Sequence, residues 1–357
     1  MTASAASFGL PAPQNRPTDA AMSLASRCLA PFALLTVVLL YLVVLAGSIV
    51  RATGSGMGCP DWPRCYGRLI PPTEVGQIDF SKLDIAKYRA AWQRRGHDPV
   101  EVTEETLRRD FSARATWIEF LNRCLGALSG LAALATFACA LAARVRKRKL
   151  IALLAVQLVL FGVVAWLGKV VVDTNLSPWK ITLHMALAFG LLTTALLARH
   201  WIAPGADVPV SLSQRWHLIT AFVFLAAQIF VGTQVRETVD HLAEGACCDG
   251  RLESSLGLPL VWHRVGAICV LTLVTVAFFR LKSSRGAEAA APLLLTVMGL
   301  VVCAEYGAGV LLVKLELPAL LQPVHLFLAA VLHGLLLTLL LRSRLHTLPP
   351  AANLALA

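Results

Sequence analysis

The polar residues able to do chemistry in this chain sit at the ends of long apolar runs. Glu119, Asn122 and Arg123 fall within little more than one helical turn of "WIEFLNRCLG" (117–126), and His184, His263 and His325 each stand near the start of another run. At i, i+3, i+4 and i+7, Glu119, Asn122, Arg123 and Gly126 share one helical face. A carboxylate so near lipid is costly and reads as functional by default: it can take a proton from a substrate or stabilise a cation on one. The competing reading is a structural i, i+4 pair of Glu119 with Arg123. Neutral imidazole is the usual protein ligand for iron, and two of them about 4 Å apart, one on each side of a macrocycle, hold a six-coordinate haem.

The elements that must position these groups are membrane helices. The chain has 357 residues, 57% hydrophobic and 15% charged, with its apolar residues gathered into runs long enough to span about 30 Å of hydrocarbon. Eight such spans are predicted near 31–51, 116–143, 150–172, 181–202, 215–235, 260–280, 289–313 and 320–342. A net charge of +11 could suggest nucleic acid. The basic residues instead fill short segments between spans, with Arg144, Arg146, Lys147, Arg148 and Lys149 in one and Arg280, Lys282 and Arg285 in another. This is the positive-inside pattern, and with an even number of spans it places both termini in the cytoplasm. No signal peptide with a small-residue cleavage site is apparent, so the first span is expected to be retained.

Laid on itself, the chain repeats. "GSIVRAT" (47–53) matches "GTQVRET" (232–238) at a shift of 185. "NRCLG" (122–126) faces "HRVGA" (263–267) at a shift of 141, which also carries Gly168 onto Gly309 and His184 onto His325. The difference of 44 residues is the extra length of the first external loop. Four spans return the chain to its starting side, so the two halves run in the same direction, related about an axis along the membrane normal. The expected fold class is therefore all-α integral membrane, with eight transmembrane helices as two pseudo-symmetric four-helix bundles. The expected division is a cytoplasmic tail (1–30), an N-terminal half (31–202) with an external loop (54–115), a cytoplasmic linker (203–214), a C-terminal half (215–342) and a second tail (343–357).

The repeat pairs Asn122 with His263 and sets Leu260 opposite Glu119. His263 and His325 lie at similar depth, and facing side chains in a four-helix bundle can ligate a cofactor in its core, so a haem is predicted between them. Arg264 and Arg236 either pair with haem propionates or snorkel to headgroups. Asn is a poor iron ligand, so a porphyrin in the first half has His184 as its one protein ligand. Its opposite face is open, which distinguishes a reacting haem from an electron-carrying one. Cys59 and Cys65 in the external loop read as a disulfide, as two free thiols or as a transient metal contact. A bridge between the adjacent Cys247 and Cys248 would be strained.

With "GSIVRATGSGMGCPDWPRCYG" (47–67), "EFLNRCLG" (119–126), "TLHM" (182–185), "GTQVR" (232–236), "WHRVGA" (262–267) and "QPVHL" (322–326), the chain resembles the haem A synthase family from about residue 32 to 342. The resemblance implies oxidation of a haem O methyl group to a formyl group by successive hydroxylations, giving haem A for cytochrome oxidase. It implies haem b in the C-terminal half and substrate haem in the N-terminal half. By motif His263 and His325 match the haem b ligands, His184 one histidine of the substrate site, Glu119 the catalytic carboxylate, and Cys59 with Cys65 the external cysteine pair. Asn122, Arg123 and Arg51 then surround the substrate. One departure stands out: the family pattern has a histidine three residues after the glutamate, where this chain has Asn122.

The implied protein is a membrane haem-dependent oxidoreductase of the cell (inner) membrane. Its implied partners are haem O, the lipid membrane, an electron donor, haem O synthase as supplier, and further copies of the chain in a homo-oligomer; nothing calls for nucleic acid. The alternative is a bis-His membrane cytochrome b that only carries electrons. A transporter using the histidines and Glu119 as a proton relay is a third reading.

Overall fold

The computed structural model describes residues 24–59, 61–83, 85–86, 89, 103–173, 178–244 and 256–345. Eight helices among them are long and apolar enough to cross a membrane, and the chain is an all-α, multi-pass membrane protein. They are α1 (Leu24–Ala52), α2 (Ala113–Ala142), α3 (Arg148–Asp173), α4 (Pro178–Ile202), α5 (Leu212–Glu244), α6 (Gly257–Lys282), α7 (Pro292–Lys314) and α8 (Leu321–Arg342). In hydrocarbon every backbone N–H and C=O needs a partner within the segment, which is why apolar runs of this length become helices. Ser112 opens α2 by accepting a hydrogen bond from the Ala115 backbone N–H, and Pro292 opens α7, where its missing N–H costs nothing.

Leu131, Val159 and Leu300 are exposed at mid-helix because their solvent is lipid. Trp179 and Trp262 lie exposed at the starts of α4 and α6, and Trp216 at the start of α5, as expected of residues anchoring the two interfaces. Small residues face inward instead, with Ser129, Ala132, Ala133, Thr136 and Ala140 buried along α2.

The packing divides the helices into two rings. α1 packs on α2, α2 on α3, α3 on α4 and α4 back on α1; α5 on α6, α6 on α7, α7 on α8 and α8 back on α5. The rings meet where α8 lies against α1 and α4, and α4 against α5. At this junction the Tyr41 hydroxyl occupies the space a side chain at position 334 would need, so Gly334 is what lets α1 and α8 close. His333 is buried beside it, its Nε2 2.9 Å from Thr193 Oγ1 of α4 and its ring between Phe189 and Phe222. That places His333 in the core between the rings.

Two features go beyond the sequence reading, which expects no more than a short amphipathic helix within 81–110 of the first loop. The linker strand β1 (Val208–Val210) pairs in parallel with β2 (Ser343–Leu345), which directly follows α8. In the loop between α1 and α2, Tyr66, Ile78, Phe80 and Leu83 form a small apolar cluster with Leu107 and Phe111. Leu107 belongs to a short helix, Glu104–Arg109, capped by Thr103. Burial, with Asp61 and Asp110 nearby, pushes the Tyr66 phenol up to about 12, so it packs as a neutral ring 5.4 Å from that of Phe111. Cys247 and Cys248 lie outside the described residues.

Candidate functional site

Asn122, His184, His263 and His325 stand in the first three turns of α2, α4, α6 and α8, the four even-numbered spans. Successive spans alternate in direction, so all four lie toward the membrane face that carries the 54–115 loop. Each is set against a glycine of the preceding helix. A Cβ added at Gly232 would sit 3.2 Å from His263 Cε1, one at Gly309 3.2 Å from His325 Cε1, and one at Gly168 3.3 Å from His184 Cε1. One at Gly47 would sit 3.8 Å from Asn122 Oδ1. The glycines let three imidazole rings and one amide lie directly on a neighbouring backbone.

His263 and His325 face each other with ring centres 6.2 Å apart and planes at 77°. Two metal–nitrogen bonds of about 2 Å each, plus the distance from each nitrogen to its ring centre, add up to ~6 Å. The gap therefore fits a haem iron held by both rings.

The partners of these rings were not anticipated from sequence. Gln228, one turn before Gly232 on α5, brings its amide nitrogen 3.0 Å from His263 Nδ1 and donates to the His263 carbonyl at 2.7 Å. It reaches there because residue 266 is glycine, whose missing side chain leaves the room that the Gln228 amide oxygen fills. Glu305, one turn before Gly309 on α7, places Oε1 3.1 Å from His325 Nδ1. Their side chains are only 15% and 25% exposed, and Glu305 Oε2 is buried without a hydrogen-bond partner. The detectable signal was a polar residue four before the glycine in both C-terminal helices, against Val43 and Val164 in the first half. His184 Nδ1 and His325 Nδ1 are both buried without a hydrogen-bond partner, the second with Glu305 Oε1 at ion-pair distance.

In the first half, the predicted i, i+4 pair is present. Arg123 Nε donates to Glu119 Oε1 at 2.9 Å, with the Glu119 side chain 7% exposed. The same guanidinium donates to the backbone carbonyls of Cys59 at 2.7 Å and Asp61 at 2.9 Å. Thr116 Oγ1 donates to the Gly58 carbonyl at 2.8 Å. A side chain at Gly58 would collide with the α2 backbone at Ala115. α2 therefore holds the "CPDWPRCYG" segment over its own N-terminal turns. Asp61 closes the segment by accepting from the Tyr66 and Gly67 N–H groups at 2.7 and 2.8 Å. The Cys59 and Cys65 sulfurs are in bonding contact, with Cα atoms 4.8 Å apart.

Of the predicted arginines, Arg236 donates to Gln322 Oε1 at 2.6 Å, which ties α5 to the turn of α8 preceding His325. Arg51 is half-buried at the end of α1, and Arg264 is exposed on α6.

The fold and these sites define a polytopic membrane protein with a facing imidazole pair in one ring of helices, and the buried Glu119 carboxylate together with His184 in the other. Residues 30–337 match the COX15-CtaA family, described as cytochrome oxidase assembly protein, and the chain belongs to that family. It is similar to a heme A synthase of Shewanella oneidensis, 25% identical over 80% of this chain and 87% of the relative. It is also similar to heme A synthases of a Caulobacter species, 27% identical over 86% of this chain and 93% of the relative, and of Halalkalibacterium halodurans, 26% over 70% and 75%.

Proposed function

We propose that the chain is a haem A synthase, an oxidoreductase that converts the haem O methyl group to a formyl group. The observation that carries this reading is the division of labour between two rings of equal design. One has two facing histidines; the other has His184, Asn122 and the buried Glu119. The rings are read as an internal repeat. The C-terminal half (215–342) takes haem b on His263 and His325, and the N-terminal half (31–202) takes the substrate on His184. When bound, haem b supplies one-electron transfer to the substrate side.

The chain's own residues do the rest. Arg123 holds Glu119 in place, and the loop segment pinned by Arg123 and Thr116 shuts water from the site. The Glu119 carboxylate would stabilise positive charge that develops at the methyl carbon as electrons are drawn from it, an interaction strengthened by the low dielectric. Asn122 leaves the face opposite His184 free. Arg236 is read as a propionate partner steadied by Gln322, Arg264 as a second one at the lipid edge, and Arg51 as its counterpart in the first half. Cys59 and Cys65 are read as a disulfide that closes the loop segment. The protein is assigned to the cell (inner) membrane with both termini cytoplasmic. Haem O synthase as supplier, an electron donor and self-association are the expected partners.

The test is haem analysis of purified protein by pyridine haemochrome and chromatography. Haem b is expected to be lost in His263→Ala. Haem A or a hydroxylated intermediate is expected in wild type and absent in Glu119→Ala. Haem b alone, with Glu119→Ala indistinguishable from wild type even when haem O is supplied, would favour the electron carrier instead.

A further inference from the structure

We propose that Glu305 is a positioning residue that fixes His325 as an iron ligand and strengthens it as an electron donor, lowering the reduction potential of the C-terminal haem. This rests on the haem reading above. A histidine binds iron through one ring nitrogen, and the partner of the other nitrogen selects the tautomer and the ligand's basicity. The partners of His263 and His325 differ in kind. Gln228 presents an amide, which can donate or accept by turning over, and it already touches both Nδ1 and the carbonyl of His263. Glu305 as a carboxylate only accepts. Its Oε1 lies 3.1 Å from Nδ1, within ion-pair distance but outside hydrogen-bond alignment, so a ring that binds iron through Nε2 would have its Nδ1–H facing that oxygen.

A charged side chain in the interior of a membrane helix is costly and needs a reason. No basic residue lies within ion-pair distance of Glu305 among the described residues, and its contact is the ring of His325. Gly309, one turn further along the same helix, lies closest to Cε1 and Nδ1 of that ring, so α7 meets His325 with both its backbone and a carboxylate. Ferric iron carries one more positive charge than ferrous, so a ligand polarised toward imidazolate by an adjacent anion favours the ferric state. His184 is pressed by Gly168 in the same way, but Val164 stands where Glu305 would be. The carboxylate thus biases the two-histidine site toward giving its electron up to the first half.

The test is spectroelectrochemical titration of the full-length protein in lipid nanodiscs. Glu305→Gln keeps the side-chain volume and removes the charge. It is expected to retain stoichiometric haem with a low-spin spectrum and to shift the reduction equilibrium at least tenfold toward ferrous, a rise of 59 mV for one electron. Gln228→Glu, placing a second carboxylate against His263, is expected to shift it the other way. An unchanged potential in Glu305→Gln with haem and spectrum intact overturns the proposal. Should Glu305→Gln lose haem, Gln228→Glu carries the test, and an unchanged potential there overturns it equally. Failure of the haem reading is distinguishable: wild-type protein would hold no haem, or His325→Ala would keep the six-coordinate spectrum, and either result overturns both.

Discussion

The two rings pack their helices in the same order and differ in the side chains they set against four glycines. Gly47, Gly168, Gly232 and Gly309 each clear a place for a side chain of the next helix. In the C-terminal ring those places hold His263 and His325, backed by Gln228 and Glu305. In the N-terminal ring they hold Asn122 and His184, with Val43 and Val164 where the polar partners would be. The charge has moved instead to Glu119, whose counterpart is Leu260. A backbone that makes a slot is therefore separable from the side chains that decide its use. Polar partners behind both imidazoles suit a site that keeps its ligands. An imidazole without one, in a bundle that also buries the Glu119 carboxylate, suits a site that must release its contents.

Exchanging the ligand positions tests that comparison most severely. His263→Asn gives the C-terminal ring the N-terminal set and is expected to lower retained haem b at least tenfold, of the order seen when metal-site groups are removed. Asn122→His does the reverse. It is expected to add a second low-spin haem signal in electron paramagnetic resonance and to abolish haem A formation, because the open face is then occupied. An Asn122→His protein with unchanged spectrum and product would break the correspondence between the two positions.

The arginines that follow sharpen it further. Arg123 and Arg264 match in the repeat, yet Arg123 binds Glu119 and the carbonyls of Cys59 and Asp61 while Arg264 is exposed. Arg123→Ala leaves a buried carboxylate without its cation, a change of about 3–5 kcal/mol, and frees the loop. Arg264→Ala, with Leu260 where Glu119 stands, is expected to cost less. Thermal unfolding in detergent and proteolysis at the 54–67 segment read both. Equal effects would mean that the loop contacts do not distinguish the halves.

How much of this was legible depends on where the signal lies. Hydropathy located all eight spans, but the first runs from Leu24 rather than 31 and the fifth extends to Glu244 rather than 235. Apolar runs end at the lipid boundary, whereas helical hydrogen bonding continues through Arg27 and past Arg236 into the interface. The histidines and Glu119 were visible as polar residues in apolar runs. Glu305 was not singled out, because its meaning comes from a ring that reaches it from another helix. Arg123 was read as a partner of Glu119 and not as a clamp on the loop. Its other acceptors are backbone carbonyls some sixty residues away, and any sequence presents those. The β1–β2 pair escaped for the same reason, since three-residue strands carry no periodicity of their own.

The smallest effect is the most specific. Gln228 and Gly266 form a matched set in the second ring, where the first has Val43 and Leu125. Gly266→Leu alone forces a side chain into the space the Gln228 amide fills and is expected to cost about 1–3 kcal/mol by overpacking. Gln228→Val alone removes the contact to His263 and opens a gap, for about 1 kcal/mol from the lost hydrogen bond. The double variant transplants the whole set from the first ring, and because the two residues touch, their effects are not additive. It is expected to be more stable than Gly266→Leu alone, by a coupling of about 0.5–3 kcal/mol read from unfolding midpoints, while its His263 loses the amide partner. If the two changes simply add, the glycine and the glutamine were not exchanged together, and the rings differ at separate positions instead of by coupled replacement.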